Sequence, residues 1–594
     1  MIDTDQQDRL IRAAQAFRRG DLSRREFQAI VLATVGALGN ADIALDVLLT
    51  GEVAEVLKNT EDLLRGEELI SLGSTPHLEP ENEDAGAHLF NILVRRGTEA
   101  FTGLDFVQAA ANVTTDAMQD WFQDPWKLPE IRWLAERGRH VLAATLITEE
   151  PPVYGKAVDV PKSSHDHRPA TILDPLGRLI YQALVDAESA QLTGGLASWT
   201  FGWRVPEGSK IPGKYAENNV QWTEYLEEVN WGADLSSSVL RTDVENFFSS
   251  INTDAAIPSL FTDGAHAQYL IRLVKAWNDQ TGRSGLPQRC LASSVIANGF
   301  LSKVDDVVKT EWHPDKGPSK GNVSATRWMD DFWIFSPTTF GKSEIEGPVR
   351  EAIEALGLVL NESKTEWLVG ESLELAVSEA NFSYEVHTLE SDSDPGPLIE
   401  RAKSILEGSS LSRTQVRFLA KTAFHHDIHE ILDLLVINID KLSAGIDQVC
   451  RVFREAGRSS ELEDWFVRTL RSSESAWVRS SLFQLLPKQT ALRNDVFAAV
   501  QEAAHQDREY MVMSAALDYL SNCDPSGASQ IIRGRIRDCD SAAFCRSLGL
   551  AGARAKMEPP EITRMLDLFP ECFATLEMLR DMNFRLPPGD FLKN

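Results

Sequence analysis

An acidic pair between two apolar segments constrains the fold of this 594-residue chain more than any other feature. Asp330 and Asp331 follow residues 327–329 and lead directly into the apolar run 332–335. Two adjacent carboxylates repel each other, and burying them is costly unless a cation neutralises them. The pattern predicts a tight hairpin with both aspartates at its tip and a strand on each side. Taken alone, the pair is also consistent with an ordinary Asp-rich turn.

A third acid stands at the end of an earlier strand candidate. Asp243 follows the short apolar run 239–240 and is itself followed by Phe247 and Phe248. A carboxylate directly after a strand is a suitable metal ligand, and a surface Asp beside core aromatics is the alternative. We expect Phe247 to belong to the core.

The predicted secondary structure changes twice along the chain. Residues 1–130 are predicted to form a helical N-terminal extension, 131–392 mix short strands with helices, and 398–594 are predicted to be all-helical. The fold class is therefore α+β, in several domains. Similar apolar segments near Trp477, Tyr510 and Phe544 recur at roughly 33 residues, which predicts HEAT-like stacked helical repeats. An irregular helical bundle is the alternative.

Four further motifs are unremarkable when each is taken singly. Basic residues stand at Lys162 and Arg168, and a Gly/Pro turn containing Gln288 leads into a helix candidate. The segment 201–204 and the run 356–365, which contains Lys364, complete the set. Together with the three aspartates, and in their order along the chain, these motifs resemble the palm and fingers of reverse transcriptases. Trp328 stands where that family usually has Tyr or Phe.

The resemblance implies a metal-dependent DNA polymerase and a role for each matching residue. Asp243, Asp330 and Asp331 would be catalytic and, with the backbone carbonyl of Val244, would hold two Mg²⁺ ions, for which Mn²⁺ is a substitute. Magnesium prefers oxygen ligands, which suits this set. The residues implied to bind the incoming deoxynucleotide are Lys162, Arg168, Phe248, Gln288 and Lys364. Phe248 would be the steric gate against a ribose 2′-hydroxyl, and Lys364 would lie near the leaving pyrophosphate.

The chain departs from the family pattern in two places. Arg289 replaces the Gly that usually follows Pro-Gln, where close backbone approach is needed. No recognisable thumb follows Trp367, and a long acidic helical region stands there instead. This architecture resembles the bacterial abortive-infection and related defence-associated reverse transcriptases. That resemblance implies phage defence, homo-oligomers and, in some members, untemplated synthesis primed by a protein hydroxyl.

The formal net charge of −29 is unusual for a protein that binds nucleic acid. Phosphate neutralisation by Lys and Arg supplies much of such affinity, so the basic side chains must be concentrated locally or the strand must be held differently. The expected partners are dNTPs, a DNA product and an RNA template. Two alternatives to the main hypothesis are a conventional RNA-templated reverse transcriptase and a non-enzymatic helical scaffold with a vestigial core. A third alternative is an RNA polymerase or a general nucleotidyltransferase on a similar palm, against which Phe248 counts.

Location is predicted from what the sequence lacks. The first residues show no basic start and no apolar run, and no segment reaches the length of a membrane span. The six cysteines are scattered without a C-x-x-C pair, so we expect free thiols. These features predict a cytoplasmic protein that does not contact a membrane.

Overall fold

The computed structural model describes most of the chain after residue 100. The described residues are 101, 103–146, 148, 150–161, 167–206, 209, 211–312, 324–336, 340–388, 395–408, 411–425, 427–487 and 492–586. Most of the predicted N-terminal extension therefore lies outside the described residues, and so does Lys162.

Helices and a two-stranded hairpin open the described chain. The elements are α1 (Phe106–Ala117), α2 (Pro129–Glu136), α3 (Arg139–Leu146), β1 (Gly155–Pro161), β2 (His167–Leu173), α4 (Pro175–Ala187) and α5 (Ser189–Gly194). Asp105 begins α1, since its carboxylate accepts from the backbone N–H groups of Val107 and Gln108. Asp174 caps α4 in the same way, ahead of Pro175 at the first helical position. β1 and β2 pair antiparallel along their whole length.

A five-stranded mixed sheet forms the centre of the molecule. Its strands are β3 (Thr200–Phe201), β4 (Ser238–Thr242), β5 (Ser324–Trp328), β6 (Asp331–Ser336) and β7 (Glu366–Val369). Their order is β3-β5-β6-β4-β7, with β3 parallel to β5 and the other neighbours antiparallel.

Both faces of this sheet are covered, which explains its unbroken apolar runs. Val239 and Trp333 face one hydrophobic core, whereas Leu240 and Ile334 face another. Side chains alternate between the two faces of a strand, so a strand that is buried on both faces needs apolar residues at every position.

Helices surround the sheet and then continue alone to the end of the described chain. Those between strands and after β7 are α6 (Asn218–Leu235), α7 (Phe247–Ser250), α8 (Thr253–Leu260), α9 (Gly264–Thr281), α10 (Leu291–Phe300), α11 (Ser302–Trp312), α12 (Lys342–Ala355) and α13 (Glu371–Thr388). The later helices are α14 (Gly396–Glu407), α15 (Arg413–His425), α16 (His429–Ile437), α17 (Ile446–Glu455), α18 (Glu463–Ser472), α19 (Ala476–Leu482), α20 (Asn494–Gln506), α21 (Tyr510–Cys523), α22 (Pro525–Arg535), α23 (Ala542–Arg554), α24 (Pro559–Leu566) and α25 (Phe573–Asp581). Helices with a mixed sheet confirm the α+β class.

Three of the late helices coincide with the repeated apolar segments. α19, α21 and α23 begin at Ala476, Tyr510 and Ala542, and α21 packs against both of the others. Their assignment to a HEAT-like repeat stays a prediction. Cys539 is disulfide-bonded to Cys545, so the expectation of free thiols was wrong for this pair. Their spacing of six residues around the start of α23 brings the two Cα atoms to 5.7 Å, within reach of a disulfide.

The late helices are tied to the loop and helix that follow α1. The indole N–H of Trp477 donates to the carbonyl of Trp121 at 2.6 Å. The buried Arg546 forms ion pairs with Asp124 and with the fully buried Glu130. Charge-assisted bonds of this kind fix the two regions in one arrangement. Within the described residues, no helix is both long enough and apolar enough to cross a bilayer.

Candidate active site

Asp243 lies immediately after β4, where a short backbone ladder holds it. The Asp243 carbonyl accepts from the N–H of Asn361 at 2.9 Å, and the N–H of Glu245 donates to the Val359 carbonyl at 2.8 Å. Val244 forms an isolated bridge with Leu360 between these two bonds. No backbone N–H of the described residues donates to the Val244 carbonyl oxygen. That oxygen is thus available to another partner.

The acidic pair occupies the hairpin that its sequence predicts. Trp328 pairs with Asp331 across the β5–β6 hairpin, which leaves Met329 and Asp330 as the two turn residues. Met329 has a φ of 56°, the positive value that two-residue hairpin turns require at their first position. Asp331 is the first residue of β6 and does not belong to the turn itself. Because Thr242 pairs with Phe332, Asp331 stands beside the end of β4 and near Asp243.

Charged and hydroxyl groups surround the three carboxylates. One carboxylate oxygen of Asp243 contacts the ammonium of Lys364, whereas its buried Oδ1 has no hydrogen-bond partner. The Tyr225 hydroxyl donates to Asp331 at 3.5 Å, and the Arg241 Nε lies 3.8 Å from the other oxygen of Asp331. Lys364 therefore ties the run 356–365 to the end of β4.

The pKa values of the hairpin carboxyls reflect their crowding. Desolvation raises the pKa of Asp330 to about 7, and repulsion from Asp243 and Asp331 acts in the same direction. Desolvation likewise raises the pKa of Asp331 to about 6, although Arg241 lowers it. Both shifts mean that a negative charge is disfavoured here unless a cation compensates it.

The residues present suit a hard divalent cation. Three carboxylates, one of which has the unpartnered Oδ1 of Asp243, and the Val244 carbonyl supply the oxygen ligands that Mg²⁺ prefers. In the described part of the chain, however, no group of three or more His, Cys, Asp or Glu side chains is gathered closely enough to hold an ion as it stands. The metal assignment therefore stays a prediction.

The nucleotide-side residues lie around the turn after Asp243. Phe247 is buried, and the half-buried Phe248 contacts it with ring centroids 5.4 Å apart. The Leu286 N–H donates to the Phe248 carbonyl at 2.8 Å, which places the loop containing Gln288 against this turn. Gln288 is half-buried. The expectation that Phe247 is core is confirmed, while the gate role of Phe248 stays a prediction.

The structure describes one of the two basic residues that are predicted to hold the triphosphate. Lys162 lies outside the described residues. Arg168 is exposed on β2 opposite Val160, and its guanidinium lies 5.7 Å from the centre of the Trp121 ring.

Arg327 is a positioning residue that its sequence did not reveal. It is fully buried, forms a two-bond ion pair with the equally buried Asp305 at 2.8 and 2.6 Å, and donates to Asn298 at 2.7 Å. It also donates to the Met329 carbonyl at 2.8 Å, so it holds the turn that carries Asp330. Its place two residues before that turn was the only available signal, because Asp305 and Asn298 are more than twenty residues away.

These features define an α+β protein with an acidic site at one end of a mixed sheet. Residues 160–421, which contain all the aspartates of this site, match the reverse transcriptase (RNA-dependent DNA polymerase) family. The chain therefore contains a reverse-transcriptase domain.

Two further comparisons add little. No curated protein matches this chain in sequence. A solved structure of telomerase from Candida albicans in complex with a TWJ fragment of telomeric RNA is 11% identical, over 87% of this chain and 83% of that one. Its TM-score of 0.27 is too low to carry an argument about shape.

Proposed function

We propose that this protein is a metal-dependent DNA polymerase of the reverse-transcriptase type that acts in antiphage defence. The observation that carries the polymerase proposal is the meeting of Asp243, at the end of β4, with the Asp330–Asp331 hairpin at the start of β6. This meeting falls inside the region that matches the reverse transcriptase family.

The catalytic chemistry follows from that arrangement. Two Mg²⁺ ions, or Mn²⁺ in their place, would be held by Asp243, Asp330, Asp331 and the Val244 carbonyl, and would supply activation of a primer 3′-hydroxyl and stabilisation of the leaving oxygen. The contact between Lys364 and Asp243 keeps a cation at this end of the sheet, where pyrophosphate would depart. Lys162 and Arg168 would neutralise the triphosphate, and Phe248 would exclude ribonucleotides.

Primer extension with labelled dNTPs tests the assignment. Asp330→Asn keeps the size of the side chain but removes its charge, so incorporation should fall below detection. Asp306→Asn is the matched control, because Asp306 is exposed on α11 and forms only a surface ion pair with Lys309. Incorporation by Asp330→Asn at the rate of the control would show that Asp330 is not catalytic.

Whether synthesis copies a template is a separate question. The absence of a recognisable thumb sequence after Trp367 supports untemplated addition, as in the defence-associated branch. The family description, which names an RNA-dependent polymerase, favours conventional RNA-templated copying. Omitting template from the extension assay, and sequencing the nucleic acid that copurifies with the protein, separates the two.

Defence and protein priming are each tested by one separate assay. Asp330→Ala should abolish protection in a phage-plating assay, and unchanged protection would favour the non-enzymatic scaffold. Incubation with labelled dNTP and no primer should label the protein covalently if a protein hydroxyl primes synthesis. Five of the eight tyrosines are buried, namely Tyr154, Tyr181, Tyr225, Tyr269 and Tyr510. A tyrosine primer is therefore sought among the other three, Tyr215, Tyr384 and Tyr519. Light scattering tests the predicted homo-oligomer.

A further inference from the structure

Five basic side chains gather where β2, the loop before α10 and helix α15 meet. We call this set the basic track; its members are Arg168, Arg289, Arg413, Arg417 and Lys421. The last three stand four residues apart on α15, so they share one face of that helix. Like charges at this spacing destabilise a helix, and a chain with a net charge of −29 has no general excess of cations to place there.

The track is organised around a single aromatic ring. The Trp121 ring centre lies 4.4 Å from the guanidinium of Arg289, 5.0 Å from that of Arg413 and 5.7 Å from that of Arg168. Arginine is attracted to the face of an indole ring, which offsets part of the repulsion among the three cations. Trp121 is itself held in place, because its carbonyl accepts from Trp477.

Among the described residues, negative charge does not balance Arg289, Arg417 and Lys421. Asp447 binds Arg413 through two hydrogen bonds of 2.8 and 2.7 Å. Arg289, Arg417 and Lys421, by contrast, have no ion-pair or hydrogen-bond partner among the residues that the structure describes. Desolvation, together with repulsion from Arg413, Arg417 and Arg168, lowers the pKa of Arg289 to about 10. A bound anion would relieve this repulsion.

One end of the track adjoins the candidate active site. Arg289 ends the loop whose Leu286 N–H binds the Phe248 carbonyl, in the turn that follows Asp243. From there the track continues to α15, which belongs to the helical region beyond the sheet. Steps of four residues separate the cations of α15 by about 6 Å along the helix axis. Along the axis of a duplex, the phosphates of one strand recur every ~3.4 Å, so the spacing of these cations is close to two such steps.

We propose that Arg289 and the α15 cations of the basic track bind the phosphate backbone of the nucleic-acid strand on which the polymerase acts, and that α15 supplies this grip in place of a thumb. Arg168, at the β2 end of the track, keeps the triphosphate role proposed above. The inference rests on the proposed polymerase function, because it takes the strand to be the substrate or product of that site. It also addresses the charge question, because five cations gathered along one path give a local basic surface in a chain whose net charge is −29.

Strand binding tests this proposal without any need for catalysis. The full chain carrying Asp330→Asn is titrated against a fluorescent single-stranded oligodeoxynucleotide, and anisotropy is recorded over a range of salt concentrations. Arg417→Gln combined with Lys421→Gln removes two cations from α15. Arg537→Gln combined with Arg564→Gln, at exposed positions just after α22 and on α24, is the matched control.

The expected change follows from counterion release. Each phosphate contact contributes about 0.7 to the slope of log K against log salt for a single strand, so losing two contacts should reduce the slope by about 1.4. Affinity at 0.1 M salt should fall roughly 25-fold for the α15 variant and remain unchanged for the control. Equal affinity and slope in the two variants would overturn the proposal.

A second arm separates a strand from a free nucleotide. The α15 variant in the Asp330 wild-type background should show a raised KM for primer with the KM for dNTP unchanged. A raised KM for dNTP alone, with normal strand binding, would assign the track to the triphosphate and overturn the proposal. A third result would contradict only the polymerase function. In that case neither the wild type nor the α15 variant would incorporate nucleotides, although strand binding would still depend on Arg417 and Lys421.

Discussion

Replacing Arg327 by Met tests whether a buried ion pair positions the Asp330 turn. Arg327 and Asp305 have no exposed side-chain surface, and Arg327 also donates to Asn298 and to the Met329 carbonyl. Removing the guanidinium leaves the Asp305 carboxylate buried without its cation. Breaking such a pair costs about 3–5 kcal/mol. We expect a loss of unfolding free energy in that range, measured by urea titration with tryptophan fluorescence.

A double variant separates stability from catalysis. Adding Asp305→Leu to Arg327→Met removes the stranded charge, so most of the lost stability should return. The Thr200 hydroxyl loses its acceptor in this variant, which leaves a cost of about 1 kcal/mol. The Met329 carbonyl still lacks its charged donor, a bond worth about 1.5–3 kcal/mol, so incorporation should stay roughly 10- to 100-fold below wild type.

Two results would refute this reasoning. A double variant as unstable as the single one would show that the unpaired Asp305 charge is not the cause of the instability. A double variant with wild-type incorporation would show that Arg327 does not position the turn. Arg451→Met is the matched control, since the Arg451–Glu455 pair is largely exposed, and its loss should cost less than about 1 kcal/mol.

Three further substitutions have expected outcomes. Phe248→Ala should increase the ratio of rNTP to dNTP incorporation, measured in single-nucleotide assays, and an unchanged ratio would exclude the gate role. Tyr225→Phe removes the 3.5 Å hydrogen bond to Asp331 and should lower kcat by no more than about tenfold, with circular dichroism unchanged. A larger loss would mean that Tyr225 does more than orient that carboxylate. Arg289→Gly should leave the unfolding midpoint nearly unchanged, because relief of the strain in its left-handed backbone, about 1 kcal/mol, offsets the lost contact with Trp121. The same variant should bind the strand more weakly than the wild type. Binding as tight as that of the wild type would remove Arg289 from the track.

The hairpin and the strand before Asp243 were predictable because their signals are local. An acidic pair between apolar runs has few arrangements open to it, and the side-chain alternation of β4 and β6 follows from burial on both faces. The partners of these residues were not predictable. Arg327 meets Asp305 and Asn298, and Tyr225 meets Asp331, through separations of 22 to 106 residues that no local pattern encodes.

Arg289 shows how a departure from a family pattern becomes interpretable once backbone and surroundings are known. The family has Gly at this position, and Arg289 retains a left-handed φ of 56°, so the chain keeps the loop shape that Gly would adopt while adding a cation. A strained backbone is retained only where the surrounding structure stabilises it. Here the Trp121 ring provides that support at 4.4 Å. The substitution and the helices after β7 are therefore related: α15 brings Arg413 to the same ring, so the loop beside Phe248 and the helical region contribute cations to one surface.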